Sequence, residues 1–142
     1  MARRPLVLIV EDDADLGEPI VAFLKEEGLD GTLARDGDQA MRMVDTLRPS
    51  VVVLDLMMPR RDGFSVLREL RSDGRIATLP VIVVTASFGL SERRYATELG
   101  AADHIARPFT HQELLSRIRA LLPGQLWERE APGEPPRAAE AP

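Results

Sequence analysis

Along this chain the apolar residues gather in short unbroken runs, and between the runs they recur every three or four positions. Leu6 to Val10 reads LVLIV, Val51 to Leu54 reads VVVL, and Val81 to Val84 reads VIVV after Pro80. Runs of that length, rich in β-branched residues and bounded by polar or turn residues, predict strands covered on both faces. Shorter segments, Gly31 to Ala34 and Asp103 to Ala106, predict two more strands, the second stopped by Pro108.

The intervening stretches carry the helical period. Leu16, Ile20, Phe23 and Leu24 fall at i, i+4, i+7 and i+8, which predicts a first helix that Gly28 ends. Ala40, Val44 and Leu47 share one face of a helix from Gly37 to Arg48, and Val66, Leu67 and Leu70 mark a third helix with Gly74 near its end. Leu90 to Leu99 has only a thin stripe of Tyr95, Ala96 and Leu99, interrupted by Arg93 and Arg94, so it predicts a weakly buried, movable helix. Leu114, Leu115, Ile118, Leu121 and Leu122 predict a last amphipathic helix with Thr110 as N-cap. Five strands alternating with five helices predict an α/β fold, a parallel sheet covered on both faces and joined by right-handed crossovers.

From Pro123 the pattern stops. The stretch to Pro142 is rich in Pro, Glu and Ala, has no period, and buries too little apolar surface to offset its ordering entropy. The expected division is therefore a folded domain over residues 1–122 and a linker or tail over 123–142, with Trp127 its lone aromatic. Composition narrows the function. A net charge of −5, with Arg3-Arg4 and Arg60-Arg61 as isolated basic pairs, argues against nucleic acid as the direct ligand. No apolar run approaches the roughly 20 residues that span a bilayer and no signal peptide is present, so no membrane association and a cytoplasmic location are expected. The absence of cysteine excludes disulfides, thiolate metal sites and thiol catalysis. All but one of the 18 Lys and Arg residues are arginine, a bias that runs through the whole chain.

The strands end in chemistry. Glu11, Asp12 and Asp13 follow the first strand and Asp55 closes the third. In a parallel sheet these carboxyl ends share one edge, where ligands of open α/β sheets bind. Carboxylates brought together there repel unless a cation joins them, and an all-oxygen donor set suits a hard ion, Mg²⁺ before others. Asp55 then reads as a nucleophile or a metal ligand, against the alternative of a carboxylate that only caps a strand end. Thr85 and Arg107, at the ends of the fourth and fifth strands, add a hydroxyl and a cation.

The ordered set Glu11-Asp12, Asp55 followed by MMPRRDG, Thr85-Ala86 and Arg107-Pro108-Phe109 resembles the receiver domain of two-component response regulators over residues 5 to about 122. The resemblance implies a flavodoxin-like doubly wound sheet of order 2-1-3-4-5. It implies Asp55 as the phosphoacceptor, charged by a sensor histidine kinase or phosphotransfer protein, and a phosphoprotein that assists its own phosphorylation and dephosphorylation without being a turnover enzyme. Asp12, Asp55 and the backbone carbonyl of Met57 would ligate Mg²⁺, with Glu11 acting partly through water. Thr85 would bind the phosphoryl group when its loop closes, and Arg107, before a cis proline, would reach the same oxygens. Two positions depart from the family: Arg107 stands where it has lysine, and the switch residue His104 where it usually has tyrosine or phenylalanine.

The resemblance also assigns output to the face of the fourth helix, fifth strand and fifth helix. The segment ELLSRIRALL is similar to the last helix of winged-helix regulators, where positions matching Arg93, Asp103, Glu113 and Arg117 form cross-subunit ion pairs. A homodimer is expected on that basis. The competing readings are a pseudo-receiver that binds partners without phosphate, and an aspartyl-phosphate phosphatase of the haloacid dehalogenase type. The second needs an Asp-x-Asp motif on the first strand, whereas here Asp55 is followed by Leu56-Met57 on the third. No DNA-binding region follows Leu122, so the sequence is either a stand-alone module or part of a longer chain.

Overall fold

The computed structural model describes residues 4–59, 63–86 and 89–123. The three long apolar runs become β1 (Leu6–Val10), β3 (Val51–Asp55) and β4 (Val81–Thr85), joined by β2 (Asp30–Ala34) and the shorter β5 (Asp103–Ala106). The helices are α1 (Ala14–Glu26), α2 (Gly37–Leu47), α3 (Gly63–Ser72), α4 (Leu90–Glu98) and α5 (His111–Leu121). All strand pairings are parallel, in the order β2-β1-β3-β4-β5, so the flavodoxin-like topology stands.

Unbroken apolar strands follow from this layering, because alternate side chains enter opposite cores. Leu8, Val10, Val52, Leu54, Val81 and Val83 pack with Ala40, Met41, Val44, Val66, Leu67, Leu70 and Ala96, beneath α2, α3 and α4. Val7, Ile9, Val51, Val53, Ile82, Val84 and Ile105 pack with Ile20, Leu24, Leu114, Leu115 and Ile118, beneath α1 and α5.

Helix faces differ from expectation at two positions. Leu16 and Leu47 are 46% and 45% exposed, and the buried stripes run through Gly17, Ile20 and Leu24 in α1 and Ala40, Met41 and Val44 in α2. The cause in α1 is a close approach: a Cβ on Gly17 would lie 2.6 Å from Leu33 Cδ1, so α1 rests on the sheet at Gly17 and leaves Leu16 beside the seam. Residues Arg75–Ala77 form a 3-10 turn that periodicity does not reveal, held where Arg75 bridges Asp73 (2.7 Å) and Asp45. Only Ala96 of α4 is buried, and Leu90 and Tyr95 are exposed, in keeping with the thin stripe. Thr110 caps α5 in a reciprocal capping box with Glu113. Among the described residues no helix is long and apolar enough to cross a membrane. The expected tail beyond Pro123, with Trp127, and the pair Arg60-Arg61 lie outside the described residues.

Candidate functional site

The chain winds outward from β1 to β2 on one side and through β3, β4 and β5 on the other, so the order of strands reverses between β1 and β3. Ligands of doubly wound sheets bind at that switch point, at the carboxyl ends. Glu11 and Asp12 leave β1 there and Asp55 ends β3 there. One ligand atom from each of these carboxylates lies within 4.8 Å of the others, the convergence expected from the sequence.

Local structure holds the three in place. The Glu11 amide continues the β1–β2 ladder to the Ala34 carbonyl (2.9 Å), and the Asp13 amide donates to Glu11 Oε2 (3.1 Å). Asp13 itself caps α1, accepting from the Asp15 amide (2.9 Å), so the acidic run turns at once into a helix. Asp55 Oδ1 accepts from the Met57 amide (2.9 Å), a turn that fixes the carboxylate while Met57 points its side chain to solvent. Glu11 and Asp55 are 5% and 3% exposed, and carboxylates so buried need compensation.

Arg107 supplies it. Its Nη2 donates to Glu11 Oε1 and lies 3.3 Å from Asp55 Oδ2, joining residues from three strand ends. The Arg107–Pro108 peptide bond is cis, and the Arg107 amide donates to the Thr85 carbonyl (2.9 Å). The Glu11 carboxyl is still pushed up to about 7. Burial is the largest cause, and the charge of Asp55 and a hydrogen bond with Asp12 add to it, against the Asp13 amide and Arg107. The donor set is all oxygen, compact and over-supplied with negative charge, which fits a hard divalent cation such as Mg²⁺.

Thr85 ends β4 beside Asp55, since Leu56 N donates to the Val84 carbonyl (3.1 Å). Its side chain is 2% exposed, yet Oγ1 has no hydrogen-bond partner among the described residues. His104 pairs in register with Val83 on the face that bears Thr85, and it lines a cleft of about 300 Å³ with Leu90, Arg93, Arg94, Thr97 and Glu98. Burial holds its imidazole below the ordinary range, Arg93 and Arg117 adding to that and Asp103 opposing.

Two contributors escape the sequence reading. Arg35 donates through Nε and Nη2 to the Asp12 carbonyl (3.0 and 2.9 Å), strapping the acidic turn to the end of β2. A lone arginine after a strand carries no signal of this. Gly63 starts α3 so close to β3 that a Cβ there would sit 2.6 Å from Leu56 Cα and 2.9 Å from the Asp55 carbonyl carbon. The Asp-Gly pair marks a turn in the sequence; the need for glycine comes from this backbone approach.

The dimer residues sit apart from the site, and Asp103, Glu113 and Arg117 already have partners within the chain. Arg117 Nη1 donates to both carboxylate oxygens of Asp103 (3.0 Å each), and Glu113 Oε1 accepts from the Thr110 amide (2.8 Å). The Arg93 Nε is buried without a partner among the described residues.

Residues 7–119 match the family model of the response regulator receiver domain. Response regulator MprA of Mycobacterium sp. (strain KMS) is 42% identical over 130 residues, which cover 92% of this chain and 54% of that protein. The chain thus spans about half the length of the curated relatives it matches. Among solved structures, the receiver domain of the Francisella response regulator 1452 superposes with a TM-score of 0.77 at 33% identity, covering 90% of this chain and all of that one (100%). The BeF3-activated N-terminal receiver domain of Klebsiella pneumoniae RstA gives 0.73 at 30% identity, covering 81% of this chain and 96% of that one. The matched segment takes in every strand-end residue of the site, and the chain belongs to the response regulator receiver domains of two-component systems.

Proposed function

We propose that the domain is a phosphorylation-operated switch in which Asp55 accepts the phosphoryl group from a sensor histidine kinase or a phosphotransfer protein. The convergence of Glu11, Asp12 and Asp55 at the switch point carries this reading. In the transfer, a carboxylate oxygen of Asp55 forms a bond to phosphorus as the phosphorus–nitrogen bond of a donor phosphohistidine breaks, and the imidazole leaves with the electron pair. Asp12, Asp55 and the Met57 carbonyl would hold Mg²⁺, Glu11 contributing through water. When bound, the ion supplies neutralising charge for the phosphoryl oxygens.

The chain's own residues do the rest. The Met57 amide on Oδ1 orients the Asp55 carboxylate. Arg107 offers a guanidinium to the phosphoryl oxygens. Thr85 carries a hydroxyl with no other partner among the described residues, ready to donate to the same group. Its movement opens the space behind it, and His104, on the same face of the sheet, turns toward that space and alters the surface of α4, β5 and α5. That surface binds an output domain or a second copy of the chain. In a dimer, Asp103, Glu113 and Arg117 would exchange their present contacts for cross-subunit pairs, and Arg93 would gain one.

The folded unit is residues 1–122, with 123–142 as linker or tail, acting in the cytoplasm as a phosphoacceptor rather than a turnover enzyme. Retention of the three carboxylates and Thr85 disfavours the pseudo-receiver reading. The test is phosphorylation by a small acyl phosphate with Mg²⁺, comparing the parent with Asp55→Asn by intact mass. The parent gains one phosphoryl group and the near-isosteric variant, still folded, gains none. Labelling of Asp55→Asn would assign the acceptor elsewhere.

A further inference from the structure

We infer that Arg107 is a built-in competitor of the divalent cation, a tethered guanidinium that occupies the space between Glu11 and Asp55 until the metal evicts it. This rests on the reading of the three carboxylates as the cation site. One nitrogen, Nη2, reaches carboxylates on two different strands, Glu11 Oε1 and Asp55 Oδ2. Both carboxylates are almost wholly shielded from water, so whatever cation stands between them carries most of their neutralisation. A metal on Asp55, with a water between it and Glu11, needs the space in which the guanidinium lies, and its double charge repels a guanidinium at that distance. Until a phosphoryl group stands between them to share both charges, the two occupants therefore exclude each other.

The displaced side chain has somewhere to go. Arg107 is partly exposed at 36%, and beside it a cleft of about 240 Å³ opens between α1 and the start of α5, lined by Leu16, Ile20, Phe109 and His111. Because the Arg107 amide stays bonded to the Thr85 carbonyl, eviction moves the side chain without unpairing β4 and β5. The identity of the residue matters. An ammonium is a compact, strongly hydrated point charge that leaves readily for water, whereas a guanidinium is weakly hydrated and holds two carboxylates at once. The arginine thus raises the metal concentration at which the site fills, since only the fraction with the guanidinium displaced can bind. Holding contacts of this type shift an equilibrium by roughly ten- to a hundredfold.

The experiment titrates MgCl₂, at fixed ionic strength, into the parent chain and into Arg107→Lys and Arg107→Ala, with calorimetry for affinity and NMR of arginine side chains for occupancy. The expected result is a Kd about tenfold lower or more in Arg107→Ala, with Arg107→Lys between it and the parent. In the unmutated chain the Arg107 Nε–H resonance moves with the same midpoint as the amides of Asp12 and Met57, and that of Arg117 stays still. Equal affinity in all three proteins, weaker binding in the variants, or an Arg107 signal that ignores the metal overturns the competition while leaving the metal site intact. Absence of Mg²⁺ binding in every protein overturns the metal site itself, and the competition with it.

Discussion

Replacing Thr85 with valine removes a hydroxyl that is 2% exposed and without a hydrogen-bond partner among the described residues, and puts a methyl in its place. In most cores this exchange destabilises, because a threonine hydroxyl is bonded and its loss strands the partner. Here no described partner is stranded. A buried polar group left unpaired costs about 1–3 kcal/mol, so Thr85→Val is expected to stabilise the metal-free protein by about 1–2 kcal/mol after the added methyl is fitted beside β5. For a domain of this size that is a rise in Tm of about 3–6 °C. Urea unfolding reads the same quantity as a higher midpoint at unchanged slope, since the surface exposed on unfolding barely changes. The variant should still be phosphorylated at Asp55 and should fail to pass the change on to His104 and α4. A destabilisation of about 1 kcal/mol or more would show that the hydroxyl is paired in solution, and the argument that Thr85 is held in reserve for the phosphoryl group would fall. Stabilisation coupled to loss of switching is the pattern of a residue that violates a local rule for function.

Gly63→Ala should cost about 3 kcal/mol or more, because its Cβ meets the backbone of Asp55 and Leu56 and no flexible side chain can give way; a urea midpoint near the parent's would show that α3 does not pack there. His104 is held below the ordinary imidazole range, so the folded state takes up the proton less readily than the unfolded one, and stability falls as pH drops through about 6.5 and below. His104→Phe should remove that part of the loss, and parallel stability curves for parent and variant between about pH 8 and pH 5 would contradict it. Sedimentation with and without beryllium fluoride tests the dimer: self-association should strengthen with the phosphoryl mimic. The strengthening should be modest, since exposed ion pairs contribute about 0–1 kcal/mol each, and a monomer in both states at high concentration removes the cross-subunit pairs from the account.

Much of this protein is legible in one dimension. Strands buried on both faces need unbroken apolar runs, and helices on a sheet need a period near 3.6, so the number, order and type of the elements are written in the chain. The acidic edge is legible for a related reason: strands that run parallel deliver their carboxyl ends to one side, and Glu11, Asp12 and Asp55 follow from where the runs stop. Periodicity does not fix how a helix is rotated on its sheet. Leu16 and Leu47 carry the right period and still face water, because the contacts of Gly17 with Leu33 and of Met41 with its core decide the rotation. Nor does it fix contacts between distant strand ends. Arg107 meets Glu11 across 96 positions and Asp55 across 52, and Arg35 meets the Asp12 carbonyl across 23. Those encounters depend on strand order, register and the path of each loop, which are properties of the assembled sheet. The hydroxyl of Thr85, without a partner among the described residues, belongs with them, since only the packed neighbourhood decides whether a buried donor finds one.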